Sequence, residues 1–199
     1  MLYQLNLPPL PDSIIKEVLD YSKITFEKRK KSSDIFYSSD EGYAGLYNNE
    51  NIVARHLTNT NFKNKKLKDW VDEYFPIVAY EELFLMTNKG ETAAIFPPHT
   101  DANRNLAINY VFAEGGDNVI TSTFKGPVFE DISIARYYHE DDLEIDSEDV
   151  VPLNTWYVFD AQQPHSVKNI ESTRIVLVSR SKDNMTLDDF VKQYNHLLK

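Results

Sequence analysis

Cysteine is absent from this chain of 199 residues, and with it go disulfides, thiolate metal sites and cysteine nucleophiles. Any metal would have to be held by histidine and carboxylate. No apolar run approaches the roughly 18 residues that a membrane helix requires, so no membrane span is expected. The opening residues, Met1 to Pro11, lack a basic region followed by a long apolar core. They do not read as a secretory signal, and the cytoplasm is the expected compartment. Positive charge is also scarce. The formal net charge is −10, which would repel a polyphosphate backbone, and the one basic run, Lys28 to Lys31, is too short to reverse that over a surface. Neither nucleic acid nor a membrane is an expected partner. Internal repeats and low-complexity linkers are missing too.

What remains is the composition of an ordinary globular protein, 42% hydrophobic and 26% charged, of a length that suits one domain over residues 1–199. Asp12-Ser13 followed by Ile14, Ile15, Val18, Leu19 and Ile24 gives a cap and an apolar stripe, predicting a helix from about Asp12 to about Glu27. A polar connection from Lys28 to Asn51, studded with Tyr37, Tyr43 and Tyr47, reads as a surface loop or as a cover for a site. Leu67, Trp70, Val71 and Tyr74 predict a second helix from about Asn64 to Tyr74, stopped by Pro76. The N-terminal helices thus occupy about 12–75.

Strand-like runs fill about 77–181. Ile77 to Thr87 and Thr92 to Phe96, about the turn Asn88-Lys89-Gly90, read as two strands of one sheet. Asn105 to Ala113 and Asn118 to Phe124, joined by Glu114-Gly115-Gly116-Asp117, read as a hairpin. Val128 to Tyr138 follows as a strand, and His139 to Asp149 as a solvated acidic loop. The last strands are Thr155 to Phe159, His165 to Lys168 and Thr173 to Arg180. A C-terminal helix, about 186–198, closes the chain. About eight strands in sequence, flanked by helices, favour an antiparallel sandwich or jelly roll.

One stretch organises the chemistry. In Phe96-Pro97-Pro98-His99-Thr100-Asp101 an imidazole and a carboxylate stand two residues apart, and in an extended strand such side chains leave the same face. His165, between two strand-like runs, can supply a third ligand. Two histidines and one carboxylate on one face of Fe(II) leave positions open for a co-substrate and O2. His139-Glu140-Asp141 fits the same tripeptide but lies in the acidic loop, where a solvated side chain explains it. His56 and His196 sit in polar surroundings and read as surface residues. Arg174 supplies an independent mark. If 169–172 is a four-residue hairpin loop, His165 and Arg174 share a face, and a buried arginine there needs an anion such as a carboxylate. The alternative is a surface arginine paired with Glu171, since a loop one residue longer or shorter turns it outward.

Taken together, His99-x-Asp101, Asn105-Leu-Ala-Ile-Asn-Tyr-Val with Glu-Gly-Gly, Phe159-Asp with His165-x-Val-x-Asn169, and Arg174-Ile-Val-Leu resemble the Fe(II)- and 2-oxoglutarate-dependent oxygenases. The branch that looks most similar contains the prolyl hydroxylases and the aspartyl or asparaginyl hydroxylases. The resemblance covers roughly residues 95–180 and implies a double-stranded β-helix (jelly-roll, cupin-like) core. It implies His99, Asp101 and His165 as iron ligands and Arg174 as partner of the distal carboxylate of 2-oxoglutarate. Many members carry Ser or Thr two residues after that arginine, where this chain has Val176. Tyr110 and Asn109 are candidate substitutes for that contact, and Arg104 is a competing anchor. The activity implied is hydroxylation of a small-molecule or peptide substrate, an amino-acid side chain among the options, with O2 consumed and succinate and CO2 released. A cupin-type enzyme using Zn(II), Ni(II) or Mn(II) for other chemistry, and a non-catalytic jelly-roll binding module, share the same fold and stay open as alternatives.

Overall fold

A computed structural model describes residues 1–30, 55–59, 63–87, 93–127, 129 and 131–199. The aromatic connection from Tyr37 to Tyr47 and the turn at Asn88-Lys89-Gly90 lie outside the described residues.

Among the described residues, three helices form where apolar residues recur at helical spacing. Helix α1 spans Asp12–Lys30 and buries Ile14 and Val18, a turn apart on one face. Helix α2, Lys65–Tyr74, starts where the Asn64 side chain accepts from Leu67 N and buries Leu67, Trp70 and Val71. It ends before Pro76, whose ring and missing N–H cannot continue the ladder. Helix α3, Leu187–Tyr194, is capped by Thr186, whose hydroxyl accepts from Asp189 N, and buries Phe190.

The strands are β1 (Leu2–Gln4), ahead of α1, and then β2 (Arg55–Asn59), β3 (Val78–Thr87), β4 (Ala94–Thr100), β5 (Leu106–Glu114), β6 (Ile120–Lys125), β7 (Arg136–Tyr137), β8 (Glu144–Val150), β9 (Trp156–Asp160), β10 (His165–Ile170) and β11 (Arg174–Ser181). They build one sheet in the order β1-β9-β5-β11-β3-β2 and another in the order β7-β4-β10-β6-β8. Every pairing is antiparallel. Along β3 to β6 and again along β8 to β11 the chain crosses from one sheet to the other at each step, and β6 to β8 turns within one sheet. That is the double-sheet jelly roll, or double-stranded β-helix.

The crossing corrects three local readings. β3 and β4, β5 and β6, and β10 and β11 are not hairpins, because the partners of each pair lie in opposite sheets. Turn chemistry in the sequence marks where the chain reverses but is silent on which strand it reverses against, and here neighbours in space are distant in sequence. A fourth correction concerns the acidic stretch. Only Glu140–Asp142 is a 3-10 turn, and Glu144–Val150 is an edge strand paired with β6. Its charges look like loop composition, yet they suit an exposed edge, where charge discourages pairing with another chain. A fifth is that strand structure between 128 and 138 is confined to Arg136–Tyr137 among the described residues.

Two cores result. The six-stranded sheet turns Leu106, Ile108, Tyr110, Phe112, Trp156, Val158, Ile175 and Leu177 toward the helices, where they meet Val18, Leu67, Trp70, Phe75 and Phe190. Trp70 stacks on Trp156 with centroids 6.0 Å apart. The opposite face of the same strands carries Ala107, Val111, Tyr157, Phe159, Val176 and Val178 into the space between the sheets. Alternation along β5, β9 and β11 thus feeds both cores at once, which is why these runs read as apolar on both faces.

Candidate metal centre

The site begins with an irregularity in β4. His165 pairs with His99 and Val167 with Phe96, so two steps on β10 face three on β4. The extra residue falls at Pro97-Pro98, where the missing N–H groups already interrupt the ladder. The bulge puts Phe96 and His99 on one face three residues apart, their rings edge to face at 4.6 Å. His99 and His165 then meet across the strand pair with ring centroids 4.3 Å apart. Phe159, from the opposite sheet, closes against His165 at 4.7 Å, and Tyr137 stacks on His99 at 5.9 Å.

Asp101 lies just beyond the end of β4, its N–H donated to Ala161 O at 2.9 Å. Its carboxylate reaches both rings: Oδ1 lies 3.7 Å from His99 Nε2 and Oδ2 lies 3.7 Å from His165 Nε2. One nitrogen or oxygen from each of His99, Asp101 and His165 falls within 4.8 Å of the others. The far side of each ring is also committed. His99 Nδ1 lies 2.9 Å from Pro97 O and His165 Nδ1 lies 3.0 Å from Gln163 O. A carbonyl only accepts, so each Nδ1 carries the proton and each Nε2 presents a lone pair inward.

Electrostatics agree. Burial pushes the His99 imidazole down to about 3, and the neighbouring His165 adds to the effect. Burial likewise lowers His165. Burial on its own would raise Asp101, but Arg104 and the two histidines more than offset it and hold the carboxyl well below the usual range. Two neutral imidazoles and one carboxylate, all in the required ionisation state, match the donor set that non-haem Fe(II) sites use.

Arg174 opens β11 on the same face as Val176 and Val178, which pack with Phe96 and Val167 between the sheets. It is 1% exposed. Its Nη1 donates to Glu114 O at 2.8 Å, while Nε and Nη2 have no hydrogen-bond partner among the described residues. Such a cation asks for an anion, because burying charged N–H groups unpaired is expensive. Glu171 is exposed beside Gly116 and is not hydrogen-bonded to Nε or Nη2 of Arg174. His165 and Arg174 therefore face the same space from opposite sheets rather than from one hairpin.

The other sequence candidates divide. Asn109 lies on the inward face of β5, between Tyr157 and Val178 in register. Its Nδ2 donates to Tyr157 Oη at 3.3 Å, and its Oδ1 has no partner among the described residues. Tyr110 points the other way, packed against Phe112 and Trp156 in the helix-side core. It does not suit a contact in the inter-sheet space, since one residue along a strand reverses the face. Arg104 is engaged elsewhere than Arg174, with its Nε donating to Asp101 Oδ2 at 2.9 Å and its Nη2 in an ion pair 2.8 Å from the same oxygen. His139 is exposed at the start of the 3-10 turn, and His196 lies in the C-terminal 3-10 turn.

Two residues went unread in the sequence. Thr121 faces inward because it pairs with Val167, and its buried hydroxyl has no partner among the described residues. Alternation from His165 through its partner strand could have found it only with the pairing known. Gln162 bridges Asp101 O at 2.9 Å and Arg104 O at 2.6 Å with its Nε2, and no sequence signal marks such a role.

No family model matches the chain, and no curated protein matches it in sequence. Among solved structures it is similar to a prolyl-4-hydroxylase from Pseudomonas putida, at 11% identity and a TM-score of 0.47 over 89% of this chain and 90% of that one. It is also similar to E. coli ycfD, at 10% identity and a TM-score of 0.41 over 71% of this chain and 36% of that one. At such identities neither carries a function over to this chain.

Proposed function

We propose that this chain is an Fe(II)- and 2-oxoglutarate-dependent oxygenase that hydroxylates a small molecule or a peptide side chain. One observation carries the reading. Two histidines and a carboxylate present their metal-facing atoms to one point, and Arg174, whose Nε and Nη2 have no partner among the described residues, is buried on the inward face of β11. A metal enzyme of other chemistry has no need of the second feature, and a binding module has no need of the first.

In this reading His99 Nε2, His165 Nε2 and one oxygen of Asp101 hold the iron. Arg174 binds the distal carboxylate of 2-oxoglutarate through Nε and Nη2, a fork that fits a carboxylate in two-point contact. Asn109 Oδ1 and Thr121 Oγ1 are further inward polar atoms without partners among the described residues, and the Thr121 hydroxyl can donate where Val176 cannot. Iron held there, with 2-oxoglutarate and O2, would supply the oxidant for hydroxylation, with succinate and CO2 as the products of the keto acid. The apolar lining by Phe96, Phe159, Val167 and Val176 keeps water from that chemistry, and the rigid strands fix the geometry.

The test is an anaerobic titration of the metal-free protein with Fe(II) and then 2-oxoglutarate, followed by the visible charge-transfer band of an iron-chelated keto acid. The band should appear in the unmodified protein and require far more keto acid in Arg174→Ala. Iron binding without the band would assign the site to another metal chemistry.

A further inference from the structure

Arg104 uses its partner carboxylate unevenly. Nε donates to Asp101 Oδ2 at 2.9 Å and Nη2 lies 2.8 Å from the same oxygen, whereas a guanidinium set fork to fork spreads its bonds over both oxygens. The two oxygens otherwise view the histidines alike, Oδ1 at 3.7 Å from His99 Nε2 and Oδ2 at 3.7 Å from His165 Nε2. A cation held against both rings could therefore take Asp101 through one oxygen or through both, and carboxylates ligate in either manner. Arg104 removes the second option by occupying the lone pairs of Oδ2.

The hold is built into the fold. The side chains of Arg104 and Asp101 are only 16% and 14% exposed. Gln162, 8% exposed, ties down the turn that carries them at both ends, through Asp101 O and Arg104 O. Asp101 N bonds Ala161 O and Ala161 N bonds Asn105 O, each at 2.9 Å, while Asn103, in the left-handed region at φ 60°, donates its N–H to Ile132 O at 2.7 Å. The turn is thus fastened to the segment that leads into His165.

We infer that Arg104 is a positioning residue that restricts Asp101 to one-oxygen ligation, keeping open a coordination position that two-oxygen ligation would fill. The inference rests on the metal-site reading given above. It has two consequences of opposite sign. A guanidinium beside the ligand carboxylate opposes a divalent cation, so its loss tightens metal binding. The freed Oδ2 then takes a position that the keto acid needs, so co-substrate binding loosens. A residue that only supported the fold would weaken both together.

Mn(II) accepts the same nitrogen and oxygen donors and serves as the probe on the full chain, in the unmodified protein, in Arg104→Met and in Arg104→Gln. The readouts are Mn(II) affinity, the number of exchangeable inner-sphere waters from line broadening of the Mn(II) resonance in 17O-enriched water, and the affinity of the loaded protein for 2-oxoglutarate. Arg104→Met should bind Mn(II) about tenfold more tightly, hold one water fewer, and bind 2-oxoglutarate about tenfold more weakly. Arg104→Gln places an amide N–H donor where Nε stands, so it should tighten Mn(II) binding while keeping the water number. Weaker Mn(II) binding in either folded variant, or an unchanged water number in folded Arg104→Met, overturns the inference and leaves the metal site standing. Absence of Mn(II) binding by the unmodified protein overturns both.

Discussion

His165 stands directly opposite His99 in the pairing of β10 with β4, each ring anchored through Nδ1 to a backbone carbonyl two residues earlier in the chain. Neither ring can turn its Nε2 away without breaking that bond. Replacing either histidine, or Asp101, by alanine should weaken Mn(II) or Fe(II) binding by at least about 100-fold, more than the loss of a supporting partner does. Calorimetric titration measures this, and a variant that kept full affinity would remove its residue from the ligand set.

Arg174 should trade stability for binding. Its buried Nε and Nη2 lack partners among the described residues, a penalty that an apolar side chain of similar length avoids. Arg174→Met should stabilise the ligand-free protein by about 1–3 kcal/mol, or leave it unchanged, while weakening 2-oxoglutarate binding at least about tenfold. Thermal melting with and without the keto acid checks both halves. A destabilised variant that still bound the keto acid normally would place the arginine's anion elsewhere.

Gly115 makes room for that arginine. It adopts φ +88°, and a Cβ built on it would sit 2.8 Å from Arg174 Cβ. Its carbonyl also accepts from Glu171 N and Ser172 N, the residues that lead into β11. Gly115→Ala is expected to lower stability by about 1–3 kcal/mol, roughly 3–10 °C in melting temperature, and to weaken 2-oxoglutarate binding by displacing the guanidinium. Metal affinity should hold, because the ligands lie on other strands.

Protonation should couple to stability in the metal-free protein. Burial lowers His99 from 6.5 to about 3 and lowers His165 as well. Between those values the unfolded chain takes up protons that the folded chain refuses, so stability falls as pH drops from about 6.5 toward 3 and is fully present above that window. Asp101, lowered from 3.8, adds a loss only at the acid end. Melting curves from pH 7 to pH 4 should decline in the metal-free protein and decline less in His99→Gln. A flat profile would mean that the rings are not buried in neutral form.

The sequence made much of this legible, for identifiable reasons. His99-x-Asp101 and His165 stood out because polar residues interrupt apolar strands there, and the structure brings these three side chains together. Their geometry was less accessible. The expected alternation in an extended strand is broken by the bulge at Pro97-Pro98, which depends on pairing with β10. For Arg174 the sequence leaves the face open, inward with a four-residue hairpin loop and outward otherwise, and the jelly-roll crossing that replaces the hairpin turns it inward. Asn109 and Tyr110 could not be separated until alternation along β5 was tied to a layer. The acidic edge strand β8 was hidden by its charge, because solvated strand and solvated loop share a composition. Local pattern marks elements and unusual residues, whereas sheet membership is decided by contacts between distant segments.

The most direct test of one shared site is a crystal structure of the protein with Mn(II) and 2-oxoglutarate under anaerobic conditions. The expected result is Mn(II) bound by His99 Nε2, His165 Nε2 and Asp101, with the distal carboxylate of the keto acid on Arg174 Nε and Nη2. Metal bound elsewhere, or a keto acid whose far end leaves Arg174 unpaired, would contradict it.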